Sequence, residues 1–131
     1  MATVQRTLHL AARPDDVWDA LRDWPAVHER LVQGFVIEAR MDGEDRVLTF
    51  FNGVVARERL IACDETNRRL VWSAVDTPYT HHNASAQVFA EDNRGGTRFV
   101  WTADFLPGEY ADQMAAMMDR GIQAVRDTLD G

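Results

Sequence analysis

Two places in the chain combine residue types that do chemistry with a local pattern that would aim them, and both alternate like β-strands. In TPYTHHNASAQVFAEDN, residues 77–93, His81 and His82 stand side by side. Neighbours on a strand point to opposite faces, so at most one of them looks into a given pocket. Such a pair cannot grip one ion from a regular strand. No cysteine pair or helical His-x-x-x-His supplies further ligands, and His9 and His28 lie on other elements. No metal and no cofactor is expected. The other place is VVARERLIAC, residues 54–63, where Glu58 sits between Arg57 and Arg59. A carboxylate on the apolar face of a strand is costly unless it is hydrogen-bonded, paired or protonated.

The strand register decides which way these residues look, and hairpin geometry gives the register, because directly opposed residues share a face. If DNRG, residues 92–95, is a four-residue loop, Val88 faces Phe99, Ala86 faces Trp101, Ala84 faces Ala103 and His82 faces Phe105. That pairing gathers the apolar residues on one side, turns His82 inward and leaves His81 outside. A two-residue turn at Asn52-Gly53 would pair Phe51 with Val54, Thr49 with Ala56 and Val47 with Glu58. Across DETNRR, Leu60 faces Trp72 and Glu58 faces Ala74, which puts Glu58 on the apolar side.

Two readings stand for each polar residue. Glu58 anchors a ligand hydroxyl or serves as a general acid with a raised pKa; otherwise it is a structural carboxylate tied to backbone, Arg6 or Arg46. His82 is a hydrogen-bond donor or proton carrier at one end of a cavity; otherwise it is a satisfied histidine at a strand's mouth. Cys63 is the only cysteine, so no intramolecular disulfide forms, as suits a cytoplasmic protein, and a buried core thiol is expected there. No nucleophile–base–orienter set, phosphate loop or dinucleotide fingerprint is visible.

The elements that would position these residues follow from the apolar patterning. A strand over 3–12 leads into RPDDVWDALRDWP, where Pro14 suits a first helical position and Asp15 and Asp16 suit a helix N-terminus. Pro25 ends that helix or begins a second short one through Leu31. A meander of about six strands follows. In the last segment Tyr110, Met114, Met117, Met118, Gly121, Ile122, Val125 and Leu129 recur at helical spacing and form one apolar stripe. Gly121 in mid-helix leaves room for a close approach.

At 131 residues with a net charge of −7, residues 1–131 form one domain with room for a real core. The acidic balance argues against a nucleic-acid or anionic-membrane surface. All fourteen basic residues are arginine, which reads as the codon bias of a GC-rich, bacterial genome. No signal peptide opens the chain, and no apolar run approaches the roughly 20 residues of a membrane span. If Val47 and Thr49 face inward, Leu48, Phe50 and Val55 form an outer patch that would suit a homodimer contact or lie under a loop.

The order strand, two short helices, meander, long helix, with AARPDDVWDALRDWP near the start and TRFVWTADFLPGEY before the last helix, resembles the START/SRPBCC superfamily. Within it the chain looks most like the polyketide cyclase/dehydrase-like branch. The resemblance implies an α+β helix-grip fold, a seven-stranded antiparallel sheet curled around the C-terminal helix with a cavity between them. Members bind lipids, hormones or polyketides, and some catalyse ring closure or dehydration. The lining expected here is Phe51, Glu58, Trp72, Tyr79, His82, Trp101, Phe105, Met114, Met118 and Gly121. The leading expectation is a binding protein for a hydrophobic or amphipathic small molecule. A cyclase or dehydratase using His82 and Glu58 is the alternative, and a protein-interaction module the third.

Overall fold

The computed structural model describes residues 2–91 and 95–131, so the expected DNRG turn falls largely outside the described residues. Strand β1 (Ala2–Leu10) is followed by helix α1 (Pro14–Arg22), a 3-10 turn over Trp24–Ala26 and the single-turn α2 (Val27–Arg30). The meander runs β2 (Val36–Asp42), β3 (Asp45–Phe50), β4 (Val55–Asp64), β5 (Arg69–Val75), β6 (His81–Ala90) and β7 (Thr97–Leu106). A 3-10 turn over Gly108–Tyr110 then leads into α3 (Ala111–Leu129). The seven strands form one antiparallel sheet in the order β1-β7-β6-β5-β4-β3-β2, and α3 lies in its grip. This is a helix-grip fold.

Local chemistry accounts for the boundaries. Pro14 holds the first turn of α1 with Asp15 and Asp16 beside it, while Val17, Trp18, Ala20 and Leu21 are buried. The apolar stripe of α3 buries Met118, Gly121, Ala124 and Val125. A Cβ at position 121 would lie 2.6 Å from the Trp101 ring and 3.2 Å from Phe35. What approaches this glycine is therefore the core's own aromatic wall. The Asp130 carboxylate accepts from the Ala11 and Ala12 N–H groups and fastens the end of α3 to the end of β1.

The β6–β7 register is the expected one, with His82 opposite Phe105, Ala84 opposite Ala103, Ala86 opposite Trp101 and Val88 opposite Phe99. The β3–β4 register differs by one residue. The pairs are Thr49 with Val55, Leu48 with Ala56 and Arg46 with Glu58. The turn takes three residues: the Gly53 N–H donates to the Phe50 carbonyl at 2.9 Å, and Gly53 sits at φ 85°, a turn followed by a left-handed glycine. Since a one-residue slip exchanges the faces, Leu48 and Phe50 look inward. Leu48 is buried in the core and Phe50 meets Phe35 edge-on at 5.2 Å. The expected outer patch is not formed, and of its three members Val55 alone lies exposed.

Cys63 also departs from expectation: it is exposed, not a core thiol. The β4–β5 register shifts between Leu60 and Ala62, and such a bulge bends the strand. The pairing of β4 with β3 ends at Arg59, so the far end of β4 is open on that side, and Ile61 and Cys63 lie exposed.

Candidate functional site

Between the concave face of the sheet and α3 lies a cavity of about 920 Å³. Its deep walls are apolar, among them Phe35, Leu48, Leu70, Trp72, Trp101 and Met118. Three segments frame the outer end: the β3–β4 turn with Asn52 and Val54, the β5–β6 connection over residues 76–79, and the start of α3 with Gln113, Met114 and Met117. Of the residues the sequence singles out, Glu58, Trp72, Tyr79, His82, Trp101, Met114 and Met118 line this space. Phe51, Phe105 and Gly121 do not. Phe51 sits in the turn, stacked on Phe35 at 6.0 Å and under Arg120; Phe105 is fully buried behind Tyr79; Gly121 is filled by Trp101.

Glu58 is bound by Arg46. The guanidinium donates from Nε at 2.9 Å to the carboxylate oxygen Oε1, and Nη2 lies 2.8 Å from the same oxygen. Its Nη1 donates to the Trp24 carbonyl at 3.2 Å, and its Cζ lies 3.6 Å from the Trp24 ring centroid. The Arg46 side chain is only 5% exposed and that of Glu58 13%. Burial pulls the Arg46 pKa down while the charge and hydrogen bonds of Glu58 push it up; an arginine so paired stays charged. Arg6, the other partner expected for Glu58, instead binds Asp119 on α3. Sequence reading named Arg46 only as a partner and missed it as part of the wall. The signal was there: one arginine in the apolar strand RVLTFF must find a carboxylate.

His82 fills a gap in the sheet. The β5–β6 ladder ends at the pair Trp72–Ala84, and the next inward residue of β5, Ala74, has its N–H bonded by a side chain. Ala74 N–H donates to His82 Nδ1 at 2.9 Å, and Ser73 Oγ donates to the His82 carbonyl at 2.6 Å. An Nδ1 that accepts must be unprotonated, so the neutral ring carries its proton on Nε2. Burial lowers the His82 pKa below its ordinary 6.5, His81 adds to that, and the Glu58 charge opposes it. A group with a depressed folded pKa lends stability that is present above the unfolded value and lost as pH falls through the folded one. Unfolding free energy should therefore decline as pH drops below 6.5. His82→Gln, which keeps an acceptor for the Ala74 N–H, should flatten that slope in urea titrations spanning about pH 5 to 8.

Tyr79 packs on His82 at 5.4 Å and on Tyr110 at 5.4 Å; burial raises its pKa, so the phenol stays protonated. Trp101 Nε1 is buried with no hydrogen-bond partner among the described residues. Among those residues no cluster of histidine, cysteine or carboxylate is placed to hold a metal, and no helix is long and apolar enough to cross a membrane.

The family model for polyketide cyclase / dehydrase and lipid transport matches residues 1–130. The chain belongs to this family. Its place in the START/SRPBCC superfamily agrees with the solved structures it resembles. An uncharacterized protein from Bacillus thuringiensis is 16% identical, with TM-score 0.86 over 99% of this chain and 100% of its own. A solution structure from Thermobifida fusca is 28% identical, with TM-score 0.77 over 96% and 91%. A point mutant of norcoclaurine synthase from Thalictrum, in complex with a transition-state analogue, is 16% identical, with TM-score 0.68 over 98% and 94%. No curated protein matches the chain.

Proposed function

We propose that this chain binds a hydrophobic or amphipathic small molecule between the sheet and α3, with Glu58, His82 and Tyr79 orienting its polar end. The observation that carries this reading is the cavity itself: about 920 Å³ of mostly apolar wall with polar groups set in it, Glu58 and His82 among them. Pockets that enclose small organic ligands have this size and make-up. The flexible thioethers of Met114, Met117 and Met118 on the helix side suit a ligand of irregular shape. The family's description, which includes lipid transport, agrees with it.

A proton-transfer enzyme is the second reading, because Glu58 and His82 front the same cavity. Norcoclaurine synthase, of the same fold, is an enzyme. Two bonds weigh against that role in this chain. Arg46 holds the Glu58 carboxylate, and the Ala74 N–H occupies the nitrogen that His82 would need free to accept a proton with Nε2 already protonated. Binding is therefore preferred to turnover.

Native mass spectrometry of the protein purified from its own host, followed by organic extraction, tests the proposal. A stoichiometric lipid-like or aromatic adduct is the expected result. A protein that carries no adduct and takes up no apolar probe overturns it.

A further inference from the structure

The polar end of the cavity is built from three adjacent strands at one level. Glu58 on β4 stands opposite Ala74 on β5, and Ala74 is bonded in turn to the ring of His82 on β6. Two strand spacings separate Glu58 from His82, about 10 Å between backbones, and between them the wall carries only a methyl group. All three residues line the cavity, and the Glu58 charge reaches the His82 ring. The result is a notch floored by Ala74, with Glu58 on one flank and the His82 ring, bonded to the Ala74 N–H, on the other.

The hydrogen-bonding capacity left in that notch is specific. Arg46 uses only Oε1 of Glu58 among the described residues, so Oε2 remains as an acceptor. His82 spends Nδ1 on Ala74, which leaves Nε2–H as a donor. The notch thus offers one acceptor and one donor. Its charges also cancel: Arg46 neutralises Glu58, and burial keeps His82 uncharged. At the rim, Arg57 is bound by Asp42 and Asp45, and Arg40 acts on Asp42.

Resting on the small-molecule reading above, we infer that the ligand's polar end is an uncharged hydroxyl seated over Ala74. Its O–H donates to Glu58 Oε2, and its oxygen accepts from His82 Nε2–H. A free carboxylate is rejected, because it would face Oε2 with like charge and bring no counter-ion. An ether oxygen satisfies His82 alone and leaves Oε2 without a donor.

Calorimetry with four naphthalene-based probes tests this: naphthalene, 2-methoxynaphthalene, 2-naphthol and 2-naphthoate. The naphthol should bind about tenfold more tightly than the methoxy compound, the difference of one hydrogen bond to a carboxylate, with the naphthoate weakest. Glu58→Gln would leave Arg46 buried and unpaired, so the variants are placed elsewhere. Ala74→Val, a residue well suited to a strand, fills the notch and should abolish the naphthol preference while naphthalene still binds. His82→Gln, which restores both an acceptor and a donor, should preserve it. Naphthalene binding as tightly as naphthol, or naphthoate binding best, overturns the hydroxyl subsite and leaves the cavity reading standing. Failure of all four probes overturns the cavity reading and this one with it.

Discussion

Replacing Arg46 with alanine is expected to cost about 3–5 kcal/mol of folding stability, the penalty of stranding one member of a buried ion pair. The guanidinium is almost fully enclosed, and its removal leaves the Glu58 carboxylate facing apolar wall with no other partner among the described residues. The stack on Trp24 and the bond to the Trp24 carbonyl are lost in the same step. That carbonyl belongs to the 3-10 turn beside α2, so the loss loosens the seat of the short helices on the sheet. Urea unfolding measures the effect. The double variant Arg46→Met with Glu58→Leu should recover most of it, because a buried pair exchanged for apolar groups of similar volume is often close to neutral. A single variant as stable as the parent would mean that water reaches Glu58 freely and that the polar end is not enclosed.

Filling the cavity from β4 is expected to weaken binding of an apolar probe on the order of 10–100-fold, the worth of about one buried aromatic side chain. Ala56 is the position for this. It lies opposite Leu48, is half-buried and lines the cavity, and a strand accepts phenylalanine well. The Ala56→Phe ring would occupy space that a ligand needs, while packing against wall that otherwise faces a void. Thermal stability should hold or rise, since filling a void reverses the usual cost of making one. Calorimetry with naphthalene, paired with a melting curve, reads both quantities. A variant that binds as well as the parent places the ligand elsewhere. A strongly destabilised variant means the space is already packed.

The fold was legible because its strongest signals agree with one another. Pro14 with Asp15 and Asp16 marks the start of α1, and the stripe from Tyr110 to Leu129 marks the long helix. The β6–β7 register could be read because only one alignment of ASAQV against FVWTA gathers the apolar residues on one face. The β3–β4 register could not. In VLTFFNGVV both faces are apolar, so sliding by one residue buries as much hydrophobic surface as before, and the choice passes to the turn. There the Asn52 side chain accepts from the Val54 N–H at 3.2 Å and Gly53 takes the left-handed position. Glu58 kept its inward place because the β4–β5 pairing, with Leu60 opposite Trp72, sets it independently. Cys63 was misplaced because β4 runs on past its pairing with β3, which ends at Arg59, and nothing in LIAC marks where the neighbouring strand stops. The bond from Ala74 to His82 depends on where two strands part, a tertiary fact that no local pattern encodes.

Methionine methyl groups offer the most direct test that the space under α3 receives a small apolar molecule. Met114, Met117 and Met118 line the cavity, whereas Met41 is exposed on the edge strand β2. In ¹³C-methyl NMR spectra recorded as naphthalene is added to saturation, the three helix methyls should shift together while Met41 stays in place. If the three stay fixed, or Met41 moves and they do not, no ligand enters between the sheet and the helix, and the binding account fails.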